Sequence, residues 1–210
     1  MSKFETFVLG LVFAPAPISF CFCGAWFTSF IIYKQFGLNE KVIPVSALSG
    51  FVVGLIIATI FLKRLVKNAY EFSNKILAVF FIYYSILAFC FGMGIPVLNY
   101  FLGIIAGIYI VRKMCYLRAD ETEYKRNIKK TAIFTSVIML IICSLMVLIG
   151  IAGHINGKNF EAIFKSLFGL ELTINTAGFV GIILFGACAM ILLQYWLTKL
   201  SAKITFKLSR

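Results

Sequence analysis

Residues 76–111 read ILAVFFIYYSILAFCFGMGIPVLNYFLGIIAGIYIV, without a single Asp, Glu, Lys, Arg or His. A helix of about 20 apolar residues crosses a hydrocarbon core of about 30 Å. The stretch therefore holds either one overlong helix or two short ones turned at Gly92-Met93-Gly94-Ile95-Pro96. Charge separates the two. A hairpin puts 16 of the 20 Lys and Arg residues on one face and leaves Lys34, Lys41, Lys158 and Lys165 on the other, whereas a single helix divides them 13 to 7. Basic residues gather in cytoplasmic loops, so the hairpin is preferred. Gly92 and Gly94 admit turn conformations that other residues resist, and Pro96 suits the first turn of the next helix.

Four further stretches, 6–33, 42–62, 131–153 and 172–198, are equally free of ionisable side chains. The expected fold is an all-α integral membrane protein: six transmembrane helices in one bundle, with spans near 6–33, 42–62, 74–92, 96–116, 131–153 and 175–198. Both termini are expected in the cytoplasm, with a tight outer hairpin between the third and fourth spans. A single polytopic membrane domain, 1–210, is expected in the cell membrane. A mean hydropathy of +0.99 and 61% hydrophobic residues lie far from soluble averages. The net charge of +12 comes from connecting segments. It reads as orientation and headgroup contact rather than nucleic-acid binding.

The first stretch is longer than one straight crossing needs, and Ala14-Pro15-Ala16-Pro17 falls near its middle. Each proline removes a backbone donor and crowds the preceding turn, so a kink or break is expected. Broken helices at membrane depth line cavities or lie buried in protein. Pro15, Pro17 and Ser19 are therefore candidate substrate-binding residues, together with Gly92, Gly94, Pro96 and Asn99 at the hairpin. The alternatives are a kink that only shapes packing, or a short interfacial helix over 4–14 followed by a span from Pro17. Pro17, Gly24 and Lys34 share their spacing with Pro96, Gly103 and Lys113, a sparse pattern that an inverted repeat would produce.

Small residues recur at helical spacing in two spans. Ser46, Gly50, Gly54 and Ala58 form one stripe, and Asn99, Gly103 and Gly107 form another. Such stripes let helices approach closely, within a bundle or between protomers. An amide at membrane depth needs a partner, so Asn99 is expected to bond another helix or a polar ligand, and Gln194 carries the same ambiguity.

Three segments outside the spans have their own character. Phe160, Ile163, Phe164, Leu167 and Phe168 predict an outer interfacial helix over 159–169. Lys125, Arg126, Lys129 and Lys130 precede the fifth span, and Lys199, Lys203 and Lys207 lie in a basic amphipathic tail over 199–210. These seven cations are expected to meet anionic lipid at the cytoplasmic face.

The six cysteines read as small hydrophobes, with Cys115 a palmitoylation candidate. His154 has no second ligand nearby, and no nucleophile with its base, phosphate loop or paired acids is visible. No metal, cofactor or catalytic activity is expected, and the long N-terminal apolar region lacks the basic leader of a cleavable signal. Two function classes remain. One is a transport component that binds or passes a small, largely uncharged or hydrophobic solute. The other is a scaffold that oligomerises, or joins a membrane complex, through small-residue faces and recruits a partner at its basic face. In gross plan the six helices and cytoplasmic termini are similar to the substrate-binding subunits of energy-coupling-factor vitamin transporters. The alanine-spaced first-helix signature of that family is absent, with Pro15 and Pro17 in its place.

Overall fold

A computed structural model describes residues 3–37, 39–91, 97–152 and 176–209. Every regular element among them is helical: α1 (Lys3–Phe13), α2 (Pro15–Phe36), α3 (Val42–Lys67), a 3₁₀ turn (Ala69–Glu71), α4 (Asn74–Phe91), α5 (Val97–Tyr116), α6 (Glu121–Ala152) and α7 (Thr176–Ser209). Five helical stretches are long and apolar enough to cross a membrane, with Glu5–Phe36 counting as one, and Asn74–Cys90 is a shorter apolar helix. The chain is a multi-pass helical membrane protein. The expected hairpin residues Gly92, Gly94 and Pro96, the helix expected at 159–169 and His154 lie outside the described residues.

The distribution of side chains is the reverse of a soluble protein's. Gln194 and Thr198 are fully buried, while Phe185 and Leu208 are 78% and 77% exposed. Lipid tails are as apolar as leucine, so nothing drives Phe or Leu inward, whereas polar groups must be satisfied inside. Packing divides the chain into two compact units, residues 1–80 and 81–210.

In the first unit the prolines interrupt the helix for one residue only. Ala14 keeps helical angles (φ −61°, ψ −40°), and its N–H still donates to the Gly10 carbonyl at 2.9 Å. Below the interruption, Phe13 is buried and meets the rings of Phe72 and Phe80 edge-on at 6.0 and 5.4 Å. α2 ends where Gly37 turns left-handed at φ 62°, its N–H bonding the Tyr33 carbonyl. α3 then packs back along α2 through Ala47, Gly50, Gly54 and Ala58, all buried. A β-carbon at Gly50 would stand 2.5 Å from the Cys21 carbonyl oxygen and 2.6 Å from the Ala25 β-carbon; one at Gly54 would stand 2.6 Å from the Ile18 α-carbon. Backbone thus lies on backbone, which only glycine allows. The small-residue stripe on α3 is covered by α2 of the same chain, so it is not the open face a second protomer would need.

The second unit is organised around α7. Asn99 meets Gln194, Gly103 meets Gln194 and Thr198, and Gly107 meets Thr198 and Ser201. Residue numbers rise together along the contact, so α5 and α7 run parallel. α6 opposes both, since Tyr124 at its start reaches Ala202 and Phe206 near the end of α7, and Thr135 reaches Thr198. α5 ends in a Schellman-type cap: Arg118 N–H bonds Cys115 O, Ala119 N–H bonds Met114 O, and Arg118 takes the left-handed φ of 51°. A core of Ile110, Val111, Met114, Tyr124, Ile128 and Ala202 closes this end. Lys113, near the end of α5, is only 5% exposed.

Candidate functional site

The residues singled out at the proline break are engaged within α2 and against α3. The Ser19 hydroxyl donates to the carbonyls of Pro15 and Ala16 in its own helix, at 2.6 and 3.2 Å. Proline at 15 and 17 frees carbonyls of the preceding turn, and serine one turn on consumes acceptor capacity within the same helix. The Pro17 carbonyl lies against Gly54, where an added β-carbon would come within 2.9 Å. Pro17 and Ile18 thus lie in the α2–α3 contact through their backbone atoms. A groove of about 430 Å³ in this unit, lined by Phe22, Trp26, Ile43, Pro44, Ala47 and Leu48, is apolar throughout and reaches neither Ser19 nor Asn99.

The polar chemistry is elsewhere, in the second unit. Asn99 begins α5 and is 2% exposed; Gln194 sits in mid-α7 with no exposure. Gly103, one turn along α5, makes room for the glutamine: a β-carbon there would fall on the Gln194 carboxamide and 2.8 Å from Thr198 Oγ1. The Gln194 amide Nε2 donates to the Asn99 backbone carbonyl at 3.2 Å. That bond leaves Gln194 Oε1 and both amide atoms of Asn99, Nδ2 and Oδ1, buried without a partner. Ser85 in α4, 1% exposed, likewise has an unpartnered hydroxyl. Unsatisfied buried groups cost about 1–3 kcal/mol each. Several of them in one unit are poorly explained by packing alone.

One turn toward the C-terminus of α7 the polar seam continues, now satisfied. Thr135 and Thr198 share a hydrogen bond of 3.1 Å between α6 and α7, and Thr135 Oγ1 also lies 3.1 Å from the Ala132 carbonyl. Interhelical hydrogen bonds inside membranes average about 0.6 kcal/mol in double-mutant cycles. We expect Thr135→Val, Thr198→Val and the double variant to show a coupling of that size in a reversible unfolding assay in detergent. Near-zero coupling would show that the hydroxyls contribute independently.

The seven cations of the basic segments occupy the end of this unit opposite Asn99. Lys125, Arg126, Lys129 and Lys130 lie on exposed positions of α6, and Lys199, Lys203 and Lys207 on exposed positions of α7. The Tyr124 contacts to Ala202 and Phe206 bring the two groups to one level. Lys125 pairs with Glu121 at 3.0 Å and Arg126 with Glu123 at 3.8 Å. Exposed pairs of this kind contribute at most about 1 kcal/mol. Lys199 also lies 5.5 Å over the Tyr195 ring.

Of the expected site residues, Asn99 joins the unpartnered set, while Gly103 and Gly107 frame it. Gly92, Gly94 and Pro96 are outside the described residues. Ser85 was not legible as a site residue, because a serine in an apolar run carries no signal until its burial is known. Among the described residues no cluster of His, Cys, Asp and Glu has the arrangement of a metal site. No protein-family model matches the chain, and no curated protein or solved structure is similar to it.

Proposed function

We propose that the chain is a membrane transport component that binds or passes a small, largely uncharged solute. The observation that carries this reading is the buried amide pair, Asn99 and Gln194, with three of its side-chain polar atoms unpartnered. A group that costs free energy when left alone is a group a ligand can satisfy. Asn99 and Gln194 belong to the charge-free stretches 76–111 and 172–198, which favours a neutral solute over an ion. In this reading the polypeptide crosses the cell membrane six times with both termini in the cytoplasm. Asn74–Cys90 acts as the third span, turned tightly to the fourth, and the basic ends of α6 and α7 face anionic lipid. The apolar groove of the first unit suits an acyl chain.

A scaffold that pairs protomers through its glycine stripes finds less support. α2 covers the stripe on α3, and α7 covers Gly103 and Gly107. Assembly would have to use another surface, and a partner at the basic cytoplasmic face is the part of that reading still to be tried.

Gentle purification followed by native mass spectrometry tests the proposal. We expect a small neutral mass retained by the natural chain and lost from an Asn99→Leu, Gln194→Leu double variant. Removing both buried amides should leave the melting temperature of the ligand-free chain unchanged or higher, because unsatisfied groups disappear with them. If the variant keeps the bound mass, the amides do not bind it.

A further inference from the structure

We propose that the groove between α2 and α3 seats one acyl chain of a zwitterionic membrane phospholipid, whose headgroup amine and phosphate meet Glu40 and Lys41 at the groove's mouth; this rests on the acyl-chain reading of the groove above and is independent of the amide pair. The register of the two helices fixes where the mouth lies. α3 runs antiparallel to α2: Gly54 lies against Ile18, Gly50 against Cys21 and Ala25, and in the same register the Tyr33 hydroxyl donates to Glu40 Oε1 at 3.1 Å. The groove is walled by Phe22 and Trp26 of α2 and by Ile43, Pro44, Ala47 and Leu48 of α3, on the turn side of Gly50. Phe22, Trp26, Ser29 and Tyr33 follow at helical spacing, so one stripe of α2 leads from the groove to Tyr33. Glu40 precedes Ile43 by three residues, a reach of at most about 10 Å. The charge-free stretches 6–33 and 42–62 both end at this turn, which puts Glu40 and Lys41 at a boundary of hydrocarbon and water.

An apolar groove cannot choose among lipids, because every tail is equally apolar. Selection falls to the mouth, where an acid and a base, both exposed, are adjacent in sequence. The first amides of α3 are already taken: Lys41 N–H donates to Asn39 Oδ1, Val42 N–H to the Asn39 carbonyl and Ile43 N–H to the Glu40 carbonyl. A phosphate at the mouth therefore has the Lys41 ammonium as its partner rather than a helix N-terminus. Tyr33 anchors the Glu40 carboxylate through Oε1, and a carboxylate offers about four acceptor sites, so it still takes N–H bonds from a primary ammonium. Consecutive α-carbons stand ~3.8 Å apart, which lets the two side chains meet the neighbouring charges of one headgroup. A purely anionic headgroup would lay its charge against Glu40, and a quaternary ammonium has no N–H to donate. Lys34 lies about 100° round α2 from Tyr33, off the stripe. The headgroup that fits is phosphoethanolamine.

Tryptophan quenching tests the inference, because the chain has two tryptophans and Trp26 lines the groove while Trp196, 57% exposed on α7, does not. A Trp196→Phe chain is reconstituted in phosphatidylcholine vesicles, and lipids brominated on their acyl chains are added at one low mole fraction, with ethanolamine, choline or glycerol headgroups. A Trp26→Phe chain, which keeps Trp196, reports the bulk lipid. We expect brominated phosphatidylethanolamine to quench Trp26 about threefold more effectively than the other two, a preference of the size an exposed ion pair gives, and to quench Trp196 no more than they do. Glu40→Gln keeps an acceptor for Tyr33 and removes the charge, so it should bring the ethanolamine lipid down to the choline level. Equal quenching of Trp26 by all three lipids, or an unchanged preference in Glu40→Gln, overturns the headgroup assignment and leaves an acyl chain in the groove. Strongest quenching by the glycerol lipid overturns it in favour of an anionic headgroup. No quenching of Trp26 by any lipid, while Trp196 is quenched, overturns the acyl-chain reading itself. The neutral-solute reading stands or falls separately, with the Asn99→Leu, Gln194→Leu double variant.

Discussion

Replacing Gly54 by leucine should cost the first unit about 3 kcal/mol or more and separate α2 from α3. The first added carbon would already lie 2.6 Å from the Ile18 α-carbon and 2.9 Å from the Pro17 carbonyl, and these are backbone atoms that no rotamer change can move aside. Gly50 faces the Cys21 carbonyl and the Ala25 β-carbon in the same way. Glycine within a helix is intrinsically about 1 kcal/mol worse than alanine, so a substitution in open space should be neutral or slightly stabilising. Gly24 on α2 has no heavy atom within 4 Å of its missing β-carbon and supplies that control. Melting followed by size-exclusion chromatography in detergent should show Gly54→Leu strongly destabilised and Gly24→Leu unaffected. Cys21 and Cys23, half-buried in the natural chain, should become more reactive in the first variant alone. Equal melting temperatures would mean that the α2–α3 contact is not the one described.

Gly107→Leu should have the second large effect, of about 2–3 kcal/mol, this time in the second unit. Its β-carbon would fall on the Thr198 backbone carbonyl and the Ser201 hydroxyl, and 3.3 Å from the Ala202 nitrogen. α7 cannot retreat cheaply, because Ala202 has no exposure and Tyr124 is bonded to its carbonyl. A displaced α7 carries Gln194 and Thr198 with it, so solute retention should fall together with stability. Gly186→Leu, in open space on the same helix, should leave both unchanged. Cys143, buried in α6, reports the separation through its thiol reactivity. A Gly107→Leu chain with natural melting and natural Cys143 protection would rule out the parallel α5–α7 contact.

The two variants also mark how far sequence reading reaches. The glycines on α3 were visible as a stripe because helical spacing aligns Gly50, Gly54 and Ala58 on one face. At the N-terminal end of that stripe the buried residue is Ala47 rather than Ser46, which is half-buried. What covers the stripe was not visible: a face of small residues fits another helix of the chain as well as a second copy. Asn99 was legible as an amide in need of a partner. Its neighbour across the bundle, Gln194, is 95 residues away in sequence, and no local pattern joins the two. The burial of Lys113, 5% exposed near the end of α5, was likewise not legible from its place in the sequence.

Sequence alone determined that this chain is a multi-pass helical membrane protein and which of its helix faces are small. Transfer of a side chain between water and lipid depends on that residue and its helix neighbours, so linear order suffices to read it. Only the tertiary structure decided that α2 occupies the α3 stripe, that α7 lies parallel to α5, and that Asn99 and Gln194 meet while leaving their polar atoms unpartnered. Those outcomes depend on pairs of surfaces distant in sequence. In a membrane such pairs are selected by close packing and hydrogen bonding, with no hydrophobic force to bring them together.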